Sequence, residues 1–150
     1  MIYQELSAIW RKINRQWGQQ VEPVLRDLGL THTDRMVLMT VSVRPGVSKT
    51  EIADSINVQP QSLTRSIERL VQKDLLVKKP HARDERALCF SLTSQAQEKV
   101  EMLEANNQRL WQTMLRDFNA SEQAQLEKSL GRMLNNLLKA NTSTQDRRQE

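Results

Sequence analysis

Arginine and glutamine spaced along one face of a helix can read the edges of DNA base pairs, Arg by a bidentate pair with guanine and Gln with adenine. The run Val58-Gln59-Pro60-Gln61-Ser62-Leu63-Thr64-Arg65-Ser66-Ile67-Glu68-Arg69-Leu70 carries that chemistry. At roughly 100° per residue, Leu63, Ile67, Leu70 and Val71 gather on one side, and Gln61, Arg65, Arg69 and Gln72 on the other. The first face suits a core and the second a major groove. A solvated helix face would look the same, so the residues that follow matter. Two short β-prone runs, Leu75-Leu76-Val77-Lys78-Lys79 and Leu88-Cys89-Phe90-Ser91-Leu92, flank a charged loop holding Arg83, Asp84 and Arg86. Leu88, Phe90 and Leu92 alternate with Ala87, Cys89 and Ser91, the period of a half-buried strand. Residues 57–92 hold seven Lys/Arg against four Asp/Glu, so most of the whole-chain charge of +4 lies in this short stretch.

The elements that must position these groups are also legible. Ser48-Lys49-Thr50-Glu51 is a capping box, and it opens a short helix with Ile52, Ala53 and Ile56 as its apolar positions. Asn57-Val58-Gln59 makes a tight connection, and Pro60 fits the first helical position, where its missing N–H costs nothing. Two short helices joined by a turn, the second presenting Arg, match a DNA-binding helix-turn-helix; a basic hairpin after them matches the wing of a winged helix. The candidate DNA contacts are Gln61, Ser62, Arg65 and Arg69 on the reading helix, with Gln59 at its start and Ser48 at the start of the supporting helix. Lys78, Lys79 and Arg83 are candidate phosphate contacts, which give affinity without sequence information. Glu68 is expected to turn away from phosphate.

From about Thr33 to Ala96 the chain resembles the MarR family of bacterial transcriptional regulators, and within it the SlyA-like members. The matching residues are Leu28-Gly29-Leu30-Thr31, Glu51-Ile52-Ala53, Gln59-Pro60-Gln61-Ser62-Leu63-Thr64-Arg65, and Asp84-Glu85-Arg86 followed by Leu92-Thr93. One departure is Lys73-Asp74, where the family usually has Gly after the basic residue; Asp can take the left-handed backbone there at modest cost. The resemblance implies a mainly α fold with a small β-hairpin, a winged helix-turn-helix plus long N- and C-terminal dimerisation helices. It implies a homodimer whose first and last helices interlock, double-stranded DNA as partner, and a palindromic operator with half-sites one helical turn apart. It assigns to Arg86 a narrow, A·T-rich minor groove, with Asp84 holding the wing tip. It also suggests a small aromatic acid as effector.

The ends of the chain agree. Leu6, Ile9, Ile13, Trp17, Val21, Val24 and Leu28 recur at spacings of three and four, with Pro23 predicting a kink or break. Val100, Leu103, Leu110, Met114 and Phe118 form a second stripe. Ser121 is expected to cap a last helix bearing Leu126, Leu130, Met133, Leu134, Leu137 and Leu138. The expected division is a helical dimerisation region over 1–30 and 93–140, a winged helix-turn-helix over 31–92, and a polar, flexible tail over 141–150. Trp10, Trp17, His32, Met36 and Met39 are candidate effector-lining residues, although Trp and Met at helical spacing also read as plain core.

The composition excludes other classes. Four Gly and four Pro leave little room for an all-β fold, and one Cys excludes an internal disulfide framework. Two His and no Cys cluster argue against a zinc site, and no catalytic constellation or Gly-rich phosphate loop stands out, so neither an enzyme nor a cofactor is expected. With no apolar run long enough to cross a membrane and no signal peptide, a cytoplasmic protein without membrane contact is expected. The expected function is a ligand-responsive dimeric regulator, a repressor or anti-silencer. The alternative is a winged-helix interaction or dimerisation module that does not bind DNA, which would show exposed apolar residues on its docking face.

Overall fold

The computed structural model describes residues 1–83 and 87–146, the side chains of 142–146 aside. In chain order the elements are α1 (Ile2–Leu28), α2 (His32–Val43), β1 (Val47–Ser48), α3 (Lys49–Ile56), a 3₁₀ turn (Pro60–Leu63), α4 (Thr64–Gln72), β2 (Leu76–Pro80), β3 (Leu88–Leu92), α5 (Ser94–Met114) and α6 (Ala120–Asp146). The strands form one antiparallel sheet in the order β1-β3-β2, with Val47 opposite Phe90 and Lys78 opposite Phe90 on its other side. The fold is mainly helical with a small sheet, as the sequence predicts.

The chain divides into two compact units, Met1–Leu110 and Trp111–Glu150. In the first, Val37, Leu38 and Val41 of α2, Ile52 and Ala53 of α3, Ile67 and Leu70 of α4, and Leu75, Leu76 and Phe90 form one core with Val21, Leu25, Val100 and Leu103. The apolar face read for the reading helix is the face it buries. In the second unit, α6 leaves Met133, Leu134, Leu137 and Leu138 exposed. Its cap is Asn119, which accepts from the Glu122 N–H at 3.0 Å while Glu122 accepts from the Asn119 N–H at 2.8 Å. The helix thus starts before the expected cap, Ser121. It also runs to Asp146, beyond the expected end at residue 140, because no Gly or Pro after Ala140 stops it.

Pro23 does not break α1. The carbonyl its missing N–H leaves without a partner belongs to Gln19, an exposed residue that water can serve. Left-handed residues punctuate the winged region. Gly29 (φ 68°) ends α1, Asn57 (φ 56°) ends α3, and Asp74 (φ 57°) follows α4. At Asp74 the Leu75 N–H reaches the Leu70 carbonyl at 2.9 Å and the Asp74 N–H the Val71 carbonyl at 3.1 Å, a Schellman closure. The departure from the family's glycine is accommodated as expected. Asp74→Gly should therefore raise stability by up to about 1 kcal/mol, since glycine occupies this backbone region without a Cβ penalty. A higher urea midpoint checks it, and a lower one refutes the account.

Candidate nucleic-acid interface

The supporting helix is fastened as its sequence predicts. Ser48 Oγ accepts from the Glu51 N–H at 3.2 Å, and Glu51 accepts from the Ser48 N–H at 2.7 Å. The backbone hydrogen bond from Ser48 is the main cause holding the Glu51 carboxyl below its ordinary value. Ser48 is therefore occupied as a cap and half-buried, although it also lines the groove described below. The turn into the reader is closed by the Val58 N–H on the Ala53 carbonyl, 3.0 Å. Gln59 precedes the 3₁₀ turn, whose first residue is Pro60.

Of the residues expected to face DNA, Gln59, Gln61, Ser62 and Arg65 are all exposed on the outer side of the 3₁₀ turn and α4, while Leu63, Ser66, Ile67 and Leu70 are buried. Glu68 and Gln72 are exposed as well. Lys78, Lys79 and Arg83 are exposed on the hairpin. Successive strand residues point to opposite faces, so Lys78 and Lys79 face different sides of the sheet. Lys78 lines a groove of about 500 Å³ between α3, α4 and the hairpin, with Lys49, Ile67, Val71, Leu88 and Phe90 among its walls. Lys79 stands on the other face of β2, opposite Cys89. Asp84 and Arg86 lie outside the described residues. Lys49 was not singled out in the sequence; its Nζ approaches Thr64 Oγ1 at 3.4 Å, which puts a cation beside the start of the reading helix.

Arg69 departs from expectation. It turns not outward but to Asp34 of α2, Nη2 to Oδ1 at 2.6 Å, with Thr31 Oγ1 at 3.4 Å. Ser66 Oγ donates to the same Oδ1 at 2.5 Å. The other carboxylate oxygen, Oδ2, accepts the Thr31 N–H at 2.9 Å and completes the capping box of α2. Burial pushes the Asp34 carboxyl up, but the hydrogen bonds from Arg69, Ser66 and Thr31 and the guanidinium charge outweigh it, and it lies below its ordinary value. The sequence signal for Asp34 was its place at the third position after Thr31, a cap spacing that says nothing of a partner in α4.

The candidate effector residues are not gathered in one place. Trp10 is exposed on α1, Trp17 and Met39 pack against the core, and Met36 is half-buried. His32 is exposed and its Nε2 lies 3.3 Å from Glu22 Oε2. Both border an open groove with Arg15, Arg26 and Pro23, which none of the Trp or Met candidates lines. Cys89 is half-buried, its Sγ 3.6 Å from the Pro80 carbonyl. Among the described residues no helix is long and apolar enough to cross a membrane, and no three His, Cys, Asp or Glu side chains are grouped to hold a metal.

A model of the MarR family matches residues 28–87. Among solved structures the chain is similar to the transcriptional regulator SlyA, at 24% identity over 91% of this chain and 93% of that one, TM-score 0.74. It is similar to MepR of S. aureus, solved as a DNA complex, at 20% identity over 87% and 95%, TM-score 0.78. It is also similar to a mutant MarR from E. coli complexed with operator DNA, at 24% identity over 87% and 94%, TM-score 0.73. These likenesses extend the winged-helix match to the flanking helices.

Proposed function

Taking residues 28–87 as a MarR-family segment on the fold of that family's regulators, we propose that the protein is a homodimeric, sequence-specific DNA-binding transcriptional regulator. It acts on a palindromic operator as a repressor or anti-silencer, in the cytoplasm, and a small aromatic acid tunes it. The observation that carries this reading is the outward set Gln61, Ser62 and Arg65, exposed on a helix whose other face is core, with a basic hairpin beside it. Two copies related by a twofold axis place two such helices in successive major grooves about 34–36 Å apart. Arg65 reads a base edge, Lys78 and Arg83 meet phosphates, and Arg86 enters the minor groove with Asp84 as its support. The exposed apolar residues Ile9 and Ile13 of α1, and separately Leu134 and Leu137 of α6, are surfaces a second copy covers. For the effector, Arg15 and Arg26 in the groove shared with Glu22 and His32 offer a carboxylate its counter-charge.

Selection of bound duplexes from a random pool tests the reading, followed by titrations of two variants. Arg65→Ala should cost on the order of 1–3 kcal/mol on the selected site and relax preference at one position per half-site. Lys78→Ala should weaken selected and random DNA alike and flatten the salt slope by about one unit. Equal losses for Arg65→Ala on both DNAs would refute its role as a reader. A chain that enriches no sequence would favour the protein-docking alternative, to which the exposure of Val77 and Leu88 on the hairpin gives some ground.

A further inference from the structure

The apolar face of α4 holds the helix against the core, but apolar contact is non-directional. Ile67 and Leu70 seat the helix on the core, but their packing does not by itself single out one roll angle as a directional bond does. A roll of about 20° moves a side-chain tip about 6 Å from the axis by about 2 Å. That exceeds what a hydrogen bond to a base edge tolerates. Something directional must fix the angle if Arg65 and Gln61 are to find base edges.

The structure places such a device on one side of the helix. Ser66, Arg69 and Lys73 lie three and four residues apart, so they share a line along α4 and its C-cap. All three donate to one short corner between α1 and α2. Ser66 and Arg69 meet Asp34 Oδ1 at 2.5 and 2.6 Å, and Lys73 Nζ meets the Gly29 carbonyl at 2.9 Å. Asp34 is fully buried, while Arg69 remains 39% exposed at its side chain. The carboxylate also closes the first turn of α2 through its other oxygen. One side chain thus ties the start of α2 to the middle of the reading helix.

We propose that Asp34 is a positioning residue for the reading helix: through Ser66 and Arg69 it sets the roll of α4, so that sequence preference depends on a carboxylate that never touches DNA. The proposal rests on the DNA-reading role given above. Arg69 is then a lever held inward and not a base or phosphate contact. A purely stabilising cluster would behave differently. Its loss would lower the folded fraction and reduce specific and non-specific binding together.

The test uses the full chain and the variants Asp34→Asn, Ser66→Ala, Arg69→Met, Arg69→Lys and the Asp34→Asn/Arg69→Met double. Three quantities are read: the affinity ratio between a duplex selected by the wild-type protein and a random duplex at fixed salt, the melting temperature, and amide exchange across Thr64–Gln72 without DNA. Asp34→Asn is expected to lower the ratio at least about tenfold while random-duplex affinity stays within about twofold, and to speed exchange in α4 relative to α3. The double variant should lose no more than the larger single loss, because both changes act on the same Asp34–Arg69 pair. Arg69→Lys should recover only part of the ratio, since an ammonium lacks the fixed fork. Should Asp34→Asn fail to fold, Arg69→Met and Ser66→Ala carry the same expectation. The proposal is overturned by an unchanged ratio with unchanged α4 exchange, or by losses on both duplexes that track the melting temperature. If the wild-type protein prefers no sequence, the DNA-reading role falls, and α4 exchange alone decides the positioning: faster exchange in Asp34→Asn supports it, unchanged exchange overturns it.

Discussion

A chain carrying Leu134→Glu and Leu137→Glu is expected to run as a monomer at micromolar concentration and to lose about 10²–10⁴-fold in operator affinity. Leu130, Met133, Leu134, Leu137 and Leu138 recur along α6 as one apolar stripe, and from Met133 on they are exposed within the protomer. If a second copy covers this stripe, each glutamate must either enter the interface unpaired or prevent it from forming. Burying a charge without a partner costs several kcal/mol. The DNA loss follows because two linked half-sites reinforce one another and a monomer engages only one. Light scattering and a gel shift on the same samples measure both effects. A dimer that persists with operator affinity intact would mean that α6 does not form the interface.

The second large effect lies on the inner face of the reading helix. Leu70 is fully buried, and Leu70→Ala should destabilise the protein by about 2–5 kcal/mol, the sum of lost apolar transfer and an unfilled cavity. Arg65→Ala, five residues earlier on the exposed face, should leave the urea midpoint almost unchanged. The two variants separate what holds the helix from what it presents. Leu70→Ala should bind DNA only in proportion to its folded fraction. A Leu70→Ala protein as stable as wild type would show that α4 does not pack as described.

The sequence was most readable where one residue type has one physical meaning. The Ser48–Glu51 box, the Pro60 start and the alternating burial of Leu63, Ile67 and Leu70 each follow from local rules, and the structure shows each of them. Asp74 in the left-handed region was legible for the same reason. Long-range pairing was not. Strand β1 is two residues long, too short to show a period, and only its pairing with Phe90 and Cys89 reveals it. Arg69 falls on the polar side of any helical wheel. What turns it inward is Asp34, thirty-five residues away, and no spacing rule within α4 could indicate that. Lys78 and Lys79 are alike as candidate phosphate contacts in sequence but stand on opposite faces of a strand, because pairing with β3 fixes the pleat. The candidate effector residues stand out only by type and spacing on α1 and α2. Trp17 and Met39 turned to the core, where apolar side chains gain most.

The 3₁₀ turn at the head of the reading helix has a consequence for how operators can change. With about three residues per turn and a rise near 2.0 Å, Gln61 of the 3₁₀ turn sits almost above Thr64, the first residue of α4. On a regular α-helix such a pair would be offset by roughly 60°. The two side chains therefore share a column, about 6 Å apart along the axis, close to two of the 3.4 Å steps between base pairs. If α4 reads DNA as proposed, bases about two steps apart under this column are judged by side chains that share the same space. A change at one base alters the room left for the side chain above the other. Tolerated operator variants should accordingly come as pairs about two positions apart, with covariation within such pairs and near-independence between distant positions.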